Sequence, residues 1–205
     1  MTDTDIEFFE DSHEYLVNGI ETPSTTTLMH CMEEFSNMYK GVSKRVLMKK
    51  AAYGDYVHEC VERIGKGLSI PDDFNWKSFE GIAIKRYMSL AVENDIHIDS
   101  SEQLIAYIEE DGMPLVAGKY DLLGTVKSEK ALIDIKTTAK YDPVYLKIQL
   151  NTYRLCLEQM LKEDIPALYC LWLPKKGLGR LLPVDKMDSE KLLEKLRHAK
   201  ARYRQ

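Results

Sequence analysis

The sequence predicts an α+β fold, and three observations predict it. Apolar residues recur at helical spacing through most of residues 43–92, residues 103–137 alternate in short segments bounded by turn residues, and beyond residue 142 helical and extended patterns alternate. A length of 205 residues suits about one domain. The expected organisation is one domain over 1–205, with an N-terminal elaboration (1–40), a core (43–184) and a basic C-terminal helix (188–205).

Each element has a local reason. Ile6-Glu7-Phe8-Phe9 and Tyr15-Leu16-Val17 flank the polar turn Asp11-Ser12-His13 as a hairpin, and Asn18-Gly19 is a second turn signal. Pro23-Ser24 opens a short helix reaching about residue 34. A long helix is expected from Ser43 to Ile64, with Leu47, Ala51, Gly54, His58 and Val61 on one stripe. The segment GKGLSIPDD ends it, and a third helix spans Trp76 to Val92. Gln103 to Ile108 is extended, and Asp111-Gly112 is a hairpin turn. Leu115 to Val126 is a strand long enough for Gly118 or Gly124 to mark a bend, and Ala131 to Thr137 is a third strand. Asp142 caps, and Pro143 starts, a helix to about Lys162. Ala167–Leu173 and Arg180–Val184 pair across PKKGLG, and an amphipathic helix begins near Asp188. The central order is helix, three meandering strands, helix, strand.

Composition excludes several classes. With 44% apolar and 30% charged residues the chain can bury a core, so it is not globally disordered. No run approaches the ~18 apolar residues of a membrane span. The acidic start MTDTDIEFFED lacks the basic and apolar regions of an export signal, so a cytoplasmic protein without membrane partners is expected. Cys31, Cys60, Cys156 and Cys170 are singletons with no C-x-x-C pair, which argues for reduced thiols rather than a zinc ribbon. The net charge of −5 does not suit nonspecific coating of nucleic acid. That total hides a polarity: residues 1–39 hold nine Asp or Glu and no Lys or Arg, whereas the last twenty hold seven Lys or Arg against three Asp or Glu. A basic face can therefore coexist with an acidic surface.

The most informative stretch is Ile133-Asp134-Ile135-Lys136-Thr137-Thr138. Strand alternation sends Ile133 and Ile135 to a core and puts Asp134, Lys136 and Thr138 on the other face. An acid and a lysine on one buried strand face must be paired or solvated. They make sense where the acid binds a divalent cation and the ammonium meets the anion that the cation also holds. Asp121, on the neighbouring antiparallel strand, supplies a second carboxylate, and Glu102 a further oxygen donor. Gly54-x-x-x-His58 puts an imidazole one helical turn from a glycine that permits close approach. Gln149-x-x-x-Tyr153 puts a buried amide and a phenol on the later helix. Taken singly, a D-x-K is most often a surface edge, and such a histidine more often a satisfied core residue; together they form a constellation.

His58, G-K-Y-D around Asp121, D-I-K at 134–136 and Q-L-N-T-Y at 149–153 resemble the motifs of PD-(D/E)xK nucleases, closest to the RecB-type branch that includes phage recombination exonucleases. The resemblance spans residues 54–153 and implies a restriction-endonuclease-like αβββαβ core, a central mixed sheet flanked by helices. It implies a Mg²⁺- or Mn²⁺-dependent deoxyribonuclease, an exonuclease in phage-type recombination, replication or repair. Asp121 and Asp134 would ligate the metal, with the Ile135 carbonyl and Glu102 as further ligands and His58 completing the site. The imidazole tilts preference toward Mn²⁺. Lys136 would orient the attacking water, and Gln149 and Tyr153 would hold the substrate backbone or Lys136. Lys44, Arg45, Thr138 and the C-terminal basic helix are candidates for contacting DNA. Some relatives hold an iron–sulfur cluster; the singleton cysteines imply none here. An endonuclease or RNA-directed enzyme, an inactive binding or assembly protein, a dependence on a strand-annealing protein or helicase, and a homo-oligomer all stay open.

Overall fold

The computed structural model describes residues 4–36, 41 and 43–203, with the side chains of Lys44 and Leu47 outside that description. The chain opens with an antiparallel sheet of β1 (Ile6–Phe9), β2 (Glu14–Val17) and β3 (Ile20–Thr22). Asn18 and Gly19 both have positive φ, as a two-residue hairpin between β2 and β3 requires. This adds one strand to the expected hairpin. Ser24 caps α1 (Thr25–His30) by accepting the Thr27 N–H at 3.0 Å. That helix stops at His30, short of the expected residue 34.

Two helices follow, α2 (Lys44–Gly65) and α3 (Phe79–Glu93). The packed stripe of α2 is Tyr53, Val57, Cys60 and Val61, while Ala51 is exposed. Val61 is common to both stripes, but the centre of the packed face is turned by about 100° from the expected one, roughly one residue's rotation around the axis. The aromatic ring and thiol pack as apolar groups, and His58 is left at the border of the buried face. An added Cβ at Gly54 would meet Thr137 Oγ1 at 3.4 Å, ordinary contact, so the close approach does not require glycine there.

The strand β4 (Ile96–Ser101) was not expected. It is an edge strand of the main sheet, whose order is β10-β9-β8-β7-β4, and its His97, Asp99 and Ser100 give it the polar character of an edge. The expected long second strand is two: β6 (Pro114–Lys119) pairs with β5 (Leu104–Ile108), and β7 (Leu122–Val126) pairs with β4 and with β8 (Glu129–Lys136). The break falls at Tyr120-Asp121, between the two glycines suspected of bending it. Gly124 serves another purpose: a Cβ there would lie 1.9 Å from the His97 carbonyl oxygen across the β4–β7 bulge.

Asp142 caps α4 (Pro143–Leu161) by accepting from Val144 and Tyr145. The helix returns the chain to β9 (Ala167–Trp172), parallel to β8, which β10 (Arg180–Pro183) extends. The result is a mixed sheet with a core on each side. Ile133 and Ile135 face α2 and α3 with Val57, Ile84 and Leu171. Leu132 faces the opposite cluster with Leu150 and Leu192, from α4 and α5 (Ser189–Tyr203).

The sequence's charge polarity is explained within the molecule. On α5, Lys195 pairs with Glu34, Arg202 with Glu33 and Arg197 with Glu109. Three cations of the basic helix thus pair with acids of the same chain; Arg204 lies outside the described residues. No helix among the described residues is long and apolar enough to cross a membrane.

Candidate active site

The site grows from a bend shared by two strand pairs. Between β4 and β5, Glu102 adopts a left-handed backbone (φ +53°), a conformation that non-glycine residues rarely hold outside special sites. Its N–H donates to the Asp121 carbonyl at 3.1 Å, and Tyr120 N–H donates to the Gln103 carbonyl at 3.2 Å, so both chains turn together. Because β7 begins only at Leu122, Ile135 on β8 has no strand carbonyl for its N–H. Asp121 Oδ2 takes it at 2.6 Å. The carboxylate therefore ends the ladder and is fixed beside β8.

His58 reaches this bend from α2. Its Nε2–H donates to the Ile135 carbonyl (3.1 Å), which directs Nδ1 toward Asp121 Oδ1 (3.7 Å) and Glu102 Oε1 (3.9 Å). Ligand atoms of His58, Glu102 and Asp121 all lie within 4.8 Å of one another. Burial works against protonating the imidazole, but Asp121 and Glu102 outweigh it and hold its pKa up to about 9. Burial also works to raise Glu102, yet His58 and Lys119 hold that carboxyl below its ordinary range. Lys119 Nζ is 2.6 Å from its Oε2.

Asp134 stands one step back. It is 2% exposed, and Lys136 Nζ lies 2.9 Å from Oδ1 as a hydrogen bond and 2.7 Å from Oδ2 as an ion pair. Oδ2 receives no aligned hydrogen bond from a described residue. Burial pushes the Asp134 carboxyl up despite the ammonium beside it. On the α4 side, Gln149 Nε2 donates to the Tyr153 hydroxyl at 3.2 Å, while buried Gln149 Oε1 has no hydrogen bond from a described residue. Burial raises the Tyr153 phenol well above its ordinary value, and the charges of Asp134 and Asp121 add to this. A Cβ at Gly118 would lie 2.8 Å from Tyr153 Cε1, so this glycine makes room for the ring.

Of these groups, His58, Glu102, Gly118, Lys119, Asp121 and Tyr153 line a cleft of about 680 Å³, whereas Asp134, Lys136 and Gln149 are not among its lining residues. Asp55, His58, Glu59 and Glu62 line it from α2, and Phe8, Glu10, His13 and Tyr15 from the N-terminal hairpin.

A sequence profile of the PD-(D/E)XK nuclease superfamily matches residues 26–205. The chain belongs to the PD-(D/E)XK nuclease superfamily. No curated protein sequence matches it. Among solved structures, it is similar to a candidate exonuclease from Eubacterium rectale, with a TM-score of 0.51 and 14% identity over 88% of this chain and 79% of that one. The protein SSO0001 shares 12% identity over 60% of this chain and 57% of that one, at a TM-score of 0.39. The mixed α+β architecture agrees with the superfamily's restriction-endonuclease-like fold.

Nucleases of this superfamily use divalent metals, and the residues present fit one. An imidazole nitrogen and two carboxylates whose ligand atoms lie within 4.8 Å of one another are a donor set that suits Mg²⁺ or Mn²⁺. Cys60 sits in one hydrophobic cluster, and Cys156 and Cys170 in the other.

The structure brings together His58, Glu102, Asp121, Asp134, Ile135, Lys136, Gln149 and Tyr153. It does not bring the other candidates. The strand ends at Lys136, so Thr138 is not carried on the Asp134–Lys136 face; it is exposed and its carbonyl accepts from Trp172 Nε1. Arg45 is exposed thirteen residues before His58 on α2, about 20 Å along the helix, and does not line the cleft. The Lys44 side chain lies outside the described residues. Sequence reasoning missed Lys119 and the hairpin residues. It also missed Asp55, Glu59 and Glu62, although their helical spacing around His58 carried a usable signal.

Proposed function

We propose that the protein is a Mg²⁺- or Mn²⁺-dependent deoxyribonuclease that removes nucleotides from DNA ends. The observation that carries this reading is the convergence of His58, Glu102 and Asp121 on one point beside the Asp134–Lys136 pair. Those three would hold the cation, with Asp134 as a further ligand. The Ile135 carbonyl accepts from His58 Nε2, and in this role it fixes the tautomer that turns Nδ1 to the carboxylates. A divalent ion supplies polarisation of the phosphodiester and a lowered pKa for water.

The chain's own residues supply the rest. Burial favours a neutral Lys136, but Asp134 and Asp121 outweigh it and keep the ammonium charged at neutral pH. It can then orient a water and stabilise charge growing on the phosphorane. Gln149 and Tyr153, hydrogen-bonded to each other on α4, would hold the substrate backbone or Lys136 in place. Action at ends is supported by the fold shared with the candidate exonuclease, and the cleft between the hairpin and α2 has room for a strand end.

Digestion of end-labelled linear, circular and single-stranded DNA with Mg²⁺ and Mn²⁺ tests this. Linear DNA is expected to be consumed from its ends while circles persist. Nicked or linearised circles would make the enzyme an endonuclease, and survival of every form with both ions would refute the nuclease reading.

The His58 ligand role has a pH signature. Its folded-state pKa of about 9 lies above the ordinary 6.5. The charged imidazole therefore stabilises the metal-free fold fully below about 6.5, and this contribution is lost as pH rises through about 9. A bound cation must displace that proton. Calorimetry is expected to show Mn²⁺ affinity climbing between about pH 7 and 9, with about one proton released per ion. Affinity without pH dependence or proton release would remove His58 from the ligand set.

A further inference from the structure

We propose that the N-terminal hairpin forms a stacking subsite beside the metal set, which takes the unpaired terminal base of a single DNA strand while Lys119 meets its phosphate. The inference rests on the reading of the substrate as DNA and specifies which form of it enters the cleft.

Three rings form the platform. Phe8 and Tyr15 are directly opposite in the β1–β2 register, with centroids 4.6 Å apart and planes inclined by 33°. His13 sits 5.3 Å from Phe8. All three line the cleft that also holds His58, Glu102 and Asp121, and Phe8 and His13 retain solvent access. Lys119 joins platform and site, with Nζ 2.6 Å from Glu102 and 6.0 Å from the Phe8 ring centroid. An arriving phosphate would compete with Glu102 for that ammonium.

Charge and size select the substrate. Among the described lining residues, six carboxylates face one lysine, so attraction for a phosphate backbone cannot supply the affinity. Base–aromatic stacking does not need a positive surface and tolerates any base. A cleft of about 680 Å³ falls in the range that encloses one small ligand, room for about one or two nucleotides rather than a duplex cross-section.

The test uses the full chain and short oligonucleotides carrying 2-aminopurine, a fluorescent adenine analogue quenched by stacking, at either terminus. Binding is measured in Ca²⁺, with strand integrity checked on gels. Wild-type protein is expected to quench the probe at one terminus and to bind single strands more tightly than blunt duplex. The slope of log affinity against log salt should reflect only about one or two phosphates, roughly −0.7 to −1.4. Phe8→Leu, which keeps an apolar residue on β1, should lose the quench and bind roughly 5- to 100-fold more weakly; Phe8→Trp should retain both. If Phe8→Leu fails to fold, the wild-type quench and Phe8→Trp decide.

Unchanged affinity in folded Phe8→Leu, no quench at either terminus, equal affinity for blunt duplex, or a salt slope steeper than about −3 would each overturn the subsite. Quenching that survives in a protein unable to cleave any DNA would refute the nuclease reading and leave the subsite standing.

Discussion

Asp121→Asn is expected to lower metal-dependent DNA cleavage by about 100-fold or more while leaving the melting temperature within a few degrees of wild type. The separation of effects follows from the two uses of this side chain. One oxygen accepts the Ile135 N–H at 2.6 Å, and a carboxamide oxygen can do the same, so the end of the β7–β8 ladder survives. What is lost is the negative charge facing His58 Nδ1 and Glu102. The imidazole gives an independent readout. Asp121 is the strongest influence raising its pKa, so an NMR titration of the metal-free variant should find His58 titrating well below about 9. Full activity in a folded Asp121→Asn protein would refute the assignment of this site.

Lys136→Met is expected to lose both activity and stability, the latter by about 3–5 kcal/mol, because it strips the counter-ion from a carboxylate that is 2% exposed. The pH dependence identifies the cause. Burial already raises the Asp134 carboxyl above its ordinary 3.8, and without the ammonium it rises further. The unfolded chain then holds fewer protons than the folded one between those two values, so stability falls as pH rises through that window and returns as pH drops toward about 4. Urea denaturation across this range checks the sign. Adding Asp134→Asn to Lys136→Met should restore most of the stability and none of the activity. A Lys136→Met protein as stable as wild type at every pH would show that Asp134 does not depend on this lysine.

The legible parts of the site were those carried by short-range geometry. Alternation along 133–136 is a property of any strand, so the assignment of Ile133 and Ile135 to one core and of Asp134 and Lys136 to the other face needed no partner. Asp142-Pro143 announced α4, and Gln149 and Tyr153 had to share a face one turn apart. Edge strand β4 was hidden because four of its six residues are polar and two of these, His97 and Asp99, are exposed. The break at Tyr120-Asp121 was hidden because the stretch 115–126 is continuously β-prone, and only pairing with two different partners divides it. The α2 stripe was misplaced because periodicity gives an amphipathic helix its period, while packing chooses which neighbouring residues close the interface.

The sequence by itself determined the superfamily motifs, the class of fold and the pairing of an acid with a lysine on one strand face, because each is written in spacing of a few residues. Only the tertiary structure decided that Glu102 joins His58 and Asp121 at ligand distance while Asp134 rests on Lys136. It also decided that the N-terminal hairpin walls the cleft and that three cations of the basic helix α5 pair with the chain's own acids. Those outcomes depend on where separate segments meet, and a carboxylate's role follows from the charges and donors that long-range folding places beside it.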